Sequence, residues 1–195
     1  MPDPRKLVLG STSRYRKELL ERLGLPFETA APECDETPHP GEAPGATALR
    51  LAAEKARSLV KRYPDALIIG SDQVAWGAGV RLDKPGDHDN ALRQLKALSG
   101  KKAEFHTAVC LLDARTGQEH TALVLCRVSF RALDEARIER YLRREQPYDC
   151  AASAKAEGLG IALLSRIETE DPTSLIGLPL IALSGMLERA GLPPV

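Results

Sequence analysis

Apolar residues recur at helical spacing in five stretches of the chain and form short continuous runs in several others. Positions three and four apart mark one face of a helix, whereas a short unbroken apolar run marks a buried strand. The helical stretches are residues 13–24, 46–62, 87–98, 134–145 and 179–190. The strand-like stretches are residues 6–10, 65–76, 103–113 and 120–130. Strands and helices therefore alternate along much of the chain.

Hairpins interrupt this alternation. The two long strand-like runs, residues 103–113 and 120–130, are joined by the turn sequence ARTGQ, which is typical of antiparallel strands. A shorter hairpin is predicted to reach the sequence RLDKPGD. Residues 26–45 are rich in Pro, Gly and acids, so they predict a loop with at most one short strand. This order of elements predicts an α/β fold with a mixed sheet flanked by helices.

Charge and length limit the classes of protein to which this chain can belong. A chain of 195 residues can bury a sizeable core, as one domain or as two closely merged lobes. Its 27 basic and 27 acidic residues argue against a general DNA or RNA binder, because such proteins need a basic excess. No apolar run approaches the ~20 residues of a membrane span, so we expect no membrane partner.

The cysteines indicate a reducing compartment. None belongs to a CxxC pair, and no histidine lies at ligand spacing from any of them, so we expect free thiols rather than a zinc site. The first ten residues, MPDPRKLVLG, lack an apolar signal region. We therefore expect a cytoplasmic protein. The four cysteines are Cys34, Cys110, Cys126 and Cys150.

The sequence STSRYRK has three bases where a helix normally has acids. Arg14, Arg16 and Lys17 fall in the first turn, near the positive end of the helix dipole, where cations are mildly destabilising. Ser11, Ser13 and the backbone N–H groups of such a turn converge on one point. A bound phosphate would satisfy the dipole and the bases together. The alternative is a solvated helix start that tolerates a small penalty.

Two acidic segments are candidates for a metal or a general base. Asp72 follows the apolar part of the strand over residues 65–76, where an open α/β sheet has its ligand crevice. A carboxylate there can hold a divalent metal, act as a base, or do both, and a local turn or cap is the alternative. Glu33, Asp35 and Glu36 form an acidic loop that could complete a magnesium shell or be simply solvated.

Three dispersed lysines are candidates for neutralising a triphosphate together with Arg16. Lys55 flanks the apolar stripe of its helix and can reach a cleft. Lys84 precedes Pro85, which holds the backbone extended, and Lys155 lies in the small-residue sequence SAKAEG. Each could equally be a surface lysine. The histidines are dispersed and GxSxG is missing from the sequence, so Ser-His-Asp chemistry has no support.

Taken together, these segments resemble the Maf family of nucleotide pyrophosphatases over nearly the whole chain. The order and spacing of several motifs carry the resemblance. They are SxSxxR from Ser11 to Arg16, DET from Asp35, AxxKA around Lys55, SDQV around Asp72, KP at Lys84, LSG at residues 98–100 and GLP at residues 177–179. The resemblance implies a single domain over residues 1–195. It also implies a strongly twisted mixed sheet and two lobes around a central cleft, similar to inosine triphosphate pyrophosphatases.

The resemblance also implies a reaction, namely hydrolysis of nucleoside triphosphates to a monophosphate and pyrophosphate with a divalent cation, either Mg, Mn or Co. Asp72 and Glu36 would be the catalytic and metal-binding residues. The phosphate ligands expected from the motifs and the basic pattern are Ser11, Ser13, Arg16, Lys17, Lys55, Lys84 and Lys155. A homodimer is expected from the resemblance and because symmetric assembly is common.

Within the family, SDQV and SAKAEG are similar to the branch that acts on 7-methyl-GTP. Base specificity would then lie with Tyr15, Gln73 and Glu157. Methylation at N7 makes the purine cationic, so the face of Tyr15 can stack on it with a cation–π component. The Glu157 carboxylate can accept from N1–H and the 2-amino group, whereas beside a neutral pyrimidine a buried carboxylate would be costly.

Departures from the family pattern leave alternatives open. Arg14 stands where relatives often have Pro, Lys17 where they have Arg, and Ala154 where they have an aromatic residue, which affects the details of base selectivity. One alternative is the same reaction on dTTP, UTP or a broad set of nucleotides. Others are a non-catalytic, nucleotide-binding regulator of cell division and a sugar-phosphate binding module.

Overall fold

The computed structural model describes residues 5–195. Residues 1–4 of the predicted single domain lie outside the described residues. The helices are α1 (Arg14–Glu21), α2 (Pro44–Arg57), α3 (His88–Leu98), α4 (Glu135–Glu145) and α5 (Leu180–Arg189). The strands are β1 (Leu7–Gly10), β2 (Glu28–Ala30), β3 (Leu67–Gly77), β4 (Val80–Arg81), β5 (Lys102–Asp113), β6 (Gln118–Phe130) and β7 (Leu164–Glu168).

These strands form one mixed sheet of seven strands. Its order is β2-β1-β3-β5-β6-β7, and β4 pairs with β3. Strand β1 runs parallel to both β2 and β3, whereas the β3–β4 and β6–β7 pairs are antiparallel. The predicted α/β class with a mixed sheet is confirmed, as are both predicted hairpins.

The chain forms two compact units, each assembled from separate segments. The first unit contains the described residues up to Gln73 together with Thr107–Val124 and Asp171–Val195. The second contains Val74–His106 and Leu125–Glu170. The single domain and the central cleft implied by the resemblance stay predictions.

The core of the first unit fixes the elements that carry its functional residues. Leucine and isoleucine side chains of β1 and β3 pack with those of α1 and α5 into one buried cluster. Leu19 and Leu20 anchor α1, while Leu183 and Leu187 anchor α5 at a spacing of four residues. The β1–α1 turn and the start of α5 therefore have fixed places in the same unit.

Side-chain caps fix the starts of three helices. Ser13, Asp87 and Asp134 precede α1, α3 and α4, and each side chain accepts a hydrogen bond from the backbone N–H three residues on. Such a cap contributes about 1 kcal/mol. In the second unit, α3 and α4 pack against each other. The helix starts predicted at residues 13, 87 and 134 are therefore accurate to within a residue.

The second helix is shorter than predicted. We expected it over residues 46–62, but α2 spans Pro44–Arg57 and the chain then continues in turns. Leu59 and Val60 fit the apolar period, yet their N–H groups bond to carbonyls three residues back, as in a tighter turn. The apolar pattern thus continued past the end of the α-helical backbone.

Asp72 lies inside β3, in agreement with the strand predicted over residues 65–76. Strand β3 continues to Gly77. Gly70 interrupts its apolar run, and the packing of α2 explains why a glycine is needed there. A Cβ at Gly70 would lie 2.0 Å from the carbonyl oxygen of Ala52, so Gly70 permits α2 to approach β3 closely. Gly70 pairs with Gly10, the last residue of β1, so Asp72 still lies beyond the carboxyl end of the parallel pair.

Two further sequence-based expectations have an outcome in the structure. All four cysteines, which lie among the described residues, are free thiols, as predicted. Burial raises the pKa of Cys126 to about 11 and of Cys110 to about 12, so neither thiol is a reactive thiolate at neutral pH. Within residues 5–195, we find no helix with the length and apolar character needed to cross a membrane.

Candidate active site

The β1–α1 turn has the hydroxyl arrangement that the sequence predicted. Ser11 follows β1 directly and is buried, and its Oγ accepts from the N–H of Ser13 at 3.1 Å. Ser13 caps the helix, because its Oγ accepts from the N–H of Arg16 at 3.4 Å. Both serines thus hold the chain at the helix N-terminus, where backbone donors are available to an anion.

The three basic side chains in the first turn of α1 contact different parts of the structure. Arg16 is half-buried, and its Nε donates to the carbonyl oxygen of Gly177 at 2.8 Å. Burial lowers the pKa of Arg16, while the nearby carboxylates of Asp72 and Glu36 oppose that shift. An arginine stays charged in proteins, so the site contains one partly desolvated guanidinium.

The other two bases remain near the surface of α1. Lys17 pairs with Glu21 on its own helix at 2.9 Å, with both side chains about half exposed. The guanidinium of Arg14 lies 4.7 Å from the centre of the Tyr15 ring, and its Nη2 donates to the Tyr15 hydroxyl at 2.6 Å. Arg16 is directed to the Gly177 loop, and a phosphate role for Lys17 stays a prediction.

A buried lysine joins the two predicted catalytic carboxylates. Lys55, in the last turn of α2, is 5% exposed, and Asp72 in β3 is 6% exposed. The Nζ of Lys55 lies 2.6 Å from Oδ1 of Asp72 and 2.9 Å from Oε1 of Glu36. The side chain of Glu36 is 60% exposed, so this end of the cluster reaches solvent. Close buried charges of this kind are typical of functional sites.

The two carboxylates of this cluster are candidate ligands for a divalent cation. Asp72 and Glu36 offer hard carboxylate oxygens on either side of a position that already attracts an ammonium group. Magnesium typically takes one or two carboxylates and completes its shell with phosphate oxygens and water. Among the described residues, no group of three or more His, Cys, Asp or Glu side chains could hold a metal ion. A cation at Asp72 and Glu36 would therefore need ligands from a substrate.

Sequence reasoning missed the residues that fix Asp72 and Arg16 in place. Ser71 is fully buried, and its Oγ lies 2.8 Å from the carbonyl oxygen of Ala108 and 3.0 Å from that of Gly177. The Gly177 carbonyl thus accepts from Arg16 and shares the single Ser71 hydroxyl proton with the Ala108 carbonyl. Gly177 has a φ of +128°, a conformation that favours glycine. The closing GLP motif was the one signal of this loop in the sequence.

Gln73 is fixed by the same C-terminal loop. Its Nε2 lies 2.9 Å from Oγ1 of Thr107, 2.9 Å from the carbonyl oxygen of Ser174 and 3.2 Å from that of Leu175. Thr107 itself donates to the Ser174 carbonyl at 2.9 Å. The amide nitrogen of Gln73 therefore supports the loop, and its predicted part in base recognition stays a prediction.

Three predicted site residues belong to the second unit. Lys84 is exposed in the loop between β4 and α3, and Glu157 is exposed in the segment before β7. Lys155 pairs with Glu145 at 3.0 Å, and that carboxylate raises the pKa of Lys155. The phosphate-binding and base-reading roles of these residues stay predictions.

The chain matches a known family over nearly all of its length. Residues 6–190 match the family model described as Maf-like protein, and the chain belongs to the Maf family. The family resemblance stated from the motifs is thereby confirmed.

Curated relatives named 7-methyl-GTP pyrophosphatase are similar to the chain over almost its full length. The protein of that name from Cupriavidus pinatubonensis is 59% identical over 192 residues, which cover 98% of this chain and 96% of the relative. The one from Burkholderia lata is 55% identical, covering 99% and 95%. The one from Burkholderia thailandensis is 57% identical, covering 96% and 89%.

Removing the lysine from the buried pair is expected to destabilise the protein. In Lys55→Met, the carboxylate of Asp72 is left buried without its cation, so the free energy of unfolding should fall by about 3–5 kcal/mol. Urea denaturation measures this. In the matched control Lys17→Met, the exposed pair with Glu21 is lost, and the change should be below about 0.5 kcal/mol. Equal stability of Lys55→Met and the wild type would contradict a buried ion pair.

Proposed function

We propose that this protein is a nucleotide pyrophosphatase that hydrolyses 7-methyl-GTP to 7-methyl-GMP and pyrophosphate, a house-cleaning activity on a modified nucleotide. The observation that carries the proposal is the buried Lys55–Asp72 pair with Glu36 beside it, at the carboxyl end of the parallel strands. The choice of nucleotide is supported by the names of full-length Maf relatives at 55–59% identity.

The phosphate groups would be held by the β1–α1 turn and by basic side chains. Nε of Arg16 donates to the Gly177 carbonyl, and its η nitrogens can donate to a phosphate oxygen. Ser11 and Ser13 add hydroxyls at the start of α1. In the same proposal Lys17, Lys84 and Lys155 contribute positive charge to a substrate that carries several negative charges.

Asp72 would orient the attacking water and take its proton. Its Oδ1 accepts from Lys55, which leaves the two lone pairs of Oδ2, one for the water and one for a bound cation. The oxygen of the water forms the new bond to phosphorus as the anhydride P–O bond breaks, and the proton goes to the Asp72 carboxylate. Positive charges of Lys55 and Arg16 stabilise the charge that develops on the departing group.

A divalent cation, either Mg, Mn or Co, would be held by Asp72 and Glu36. When bound, it would neutralise phosphate charge and favour departure of pyrophosphate. Glu36 suits this part because it contacts Lys55 while remaining open to solvent.

Base recognition would use Tyr15, Gln73 and Glu157. The Tyr15 ring already attracts the guanidinium of Arg14, so it can attract the cationic ring of a 7-methylpurine. Glu157 is exposed and can offer its carboxylate to N1–H and the 2-amino group at low desolvation cost. Specificity for the methylated base would follow from the contacts of Tyr15 and Glu157.

We also infer that the protein works as a homodimer in the cytoplasm, with a nucleoside triphosphate rather than a nucleic-acid polymer as its partner. Equal numbers of acidic and basic residues support the absence of a polymer partner. The free thiols support a reducing compartment. Sedimentation of the purified protein tests the dimer.

Replacing the proposed base should stop the reaction. Lys55 keeps its pair with Glu36 in this variant, and the free energy of unfolding is measured in parallel. Asp72→Asn keeps an oxygen acceptor for Lys55 but cannot take a proton, so kcat should fall by about 10²–10⁴-fold. Products from 7-methyl-GTP, GTP, UTP and dTTP are resolved by chromatography with each of Mg, Mn and Co. The control Asp65→Asn, at an exposed carboxylate that pairs with Arg115, should keep full activity.

Several outcomes of that panel would overturn the proposal. Release of single phosphates in place of pyrophosphate would exclude the reaction. Full turnover by Asp72→Asn would exclude the proposed base. Nucleotide binding without hydrolysis under all three metals would favour a non-catalytic regulator. A preference for dTTP or UTP would favour the alternative in which the same reaction acts on those nucleotides.

A second variant tests base recognition separately from catalysis. Glu157→Gln removes the charge that would offset the cationic purine, so kcat/KM for 7-methyl-GTP should fall by about tenfold or more. Activity on UTP should change little, because a neutral pyrimidine gains less from the carboxylate. Glu168→Gln, at an exposed residue of β7, serves as the control. Unchanged selectivity in Glu157→Gln would remove Glu157 from the base site.

A further inference from the structure

We propose that Gln94 of α3 is a positioning residue that couples the loop of Lys84 to the loop of Lys155 and Glu157. The inference rests on the proposed function, since it deepens the roles given there to these three residues. The two loops lie in the same compact unit. Gln94 contacts both of them with the two ends of one side-chain amide.

The first half of the contact holds the loop of Lys84. Nε2 of Gln94 donates to the carbonyl oxygen of Asp83 at 2.9 Å, and Nδ2 of Asn90 donates to that of Pro85 at 3.0 Å. Asn90 and Gln94 are four residues apart and share one face of α3. The carbonyl groups on both sides of Lys84 are therefore fixed to the helix, which limits the places its ammonium group can reach.

The second half holds the loop of Lys155 and Glu157. Oε1 of Gln94 accepts from Oγ of Ser153 at 2.6 Å. The Ser153 carbonyl in turn accepts from the Tyr141 hydroxyl at 3.1 Å, and that hydroxyl accepts from the N–H of Lys155 at 3.0 Å. The backbone of Lys155 thus belongs to the network that begins at Gln94.

Backbone conformation explains why this loop needs such support. Ala152 has a φ of +58° and Ser153 a φ of +54°, both in the left-handed region, and both are fully buried. Non-glycine residues hold this conformation only where their surroundings impose it. The hydrogen bonds to the Ser153 side chain and carbonyl are such a restraint. Loss of the Gln94 contact should therefore shift the segment that presents Lys155 and Glu157.

A glutamine is suited to this position because its amide is donor and acceptor at once. Gln94→Glu keeps an acceptor for Ser153 but has no N–H for the Asp83 carbonyl. Gln94→Met has a similar length and lacks both functions. Ser153→Ala removes the second contact and leaves the first. These three variants separate the two halves of the proposed coupling.

The experiment measures two quantities on the full-length protein, the KM for UTP and the ratio of kcat/KM for 7-methyl-GTP to that for UTP. The first reports on phosphate binding and the second on base recognition. We expect Gln94→Met to raise the KM for UTP by about tenfold and to lower the ratio by about tenfold, with kcat for UTP within about threefold of wild type.

The single-contact variants should divide these effects. Gln94→Glu should raise the KM for UTP and leave the ratio within about twofold, whereas Ser153→Ala should lower the ratio alone. The double variant Gln94→Met/Ser153→Ala should lower the ratio no further than Gln94→Met does, because both changes break the same contact. Each variant's thermal midpoint is measured in parallel.

The inference is overturned if Gln94→Met leaves the ratio unchanged. It is also overturned if Gln94→Met and Gln94→Glu lose activity equally in parallel with their thermal midpoints, since that indicates a purely structural role. If Gln94→Met fails to fold, the other two variants test the inference. It then requires that Gln94→Glu change the KM for UTP alone and that Ser153→Ala change the ratio alone. A wild type that hydrolyses no nucleotide defeats the proposed function instead, and nucleotide dissociation constants of the same variants, measured by calorimetry, then test the coupling.

Discussion

The rest of the first unit's polar structure depends on the buried contact between Lys55 and Asp72. A charged pair of this kind is stable only when both partners stay in place, because either one alone would be a buried charge. The contact requires the last turn of α2 to lie close to β3, and Gly70 permits that approach because it has no Cβ to meet the Ala52 carbonyl. Ser71, the neighbour of Asp72, is bonded to the Gly177 carbonyl, which also holds Arg16.

The same contact links architecture to chemistry. An ammonium between two carboxylates makes a site where positive charge is favourable beside groups that can orient water. Arg16 adds a guanidinium from the start of α1, whereas the Lys55 ammonium comes from the last turn of α2. Membership of the Maf family supports action on a nucleotide, and the proposed roles of Lys55, Asp72 and Arg16 agree with that function.

Local sequence signals predicted the elements, while long-range contacts escaped them. Ser13, Asp87 and Asp134 could be recognised as helix caps because a cap involves residues three apart. The strand that contains Asp72 was predicted as well, but the close approach of α2 at Gly70 could not be, because it joins separate elements. Likewise the Arg16–Gly177 bond joins residues 161 apart, and no local pattern specifies it. Motif order suggested Lys55, Asp72 and Glu36 separately, but only folding places one ammonium between both carboxylates.

The central claim is that Lys55 and Asp72 act as one catalytic unit, and a double-variant comparison tests it most directly. The measurement is kcat for pyrophosphate release from 7-methyl-GTP by Lys55→Met, Asp72→Asn and the variant with both changes. Residues that act as a unit are strongly non-additive, so the double variant should lose about as much as the worse single variant. Losses that multiply would show that the two residues act independently and would contradict the account.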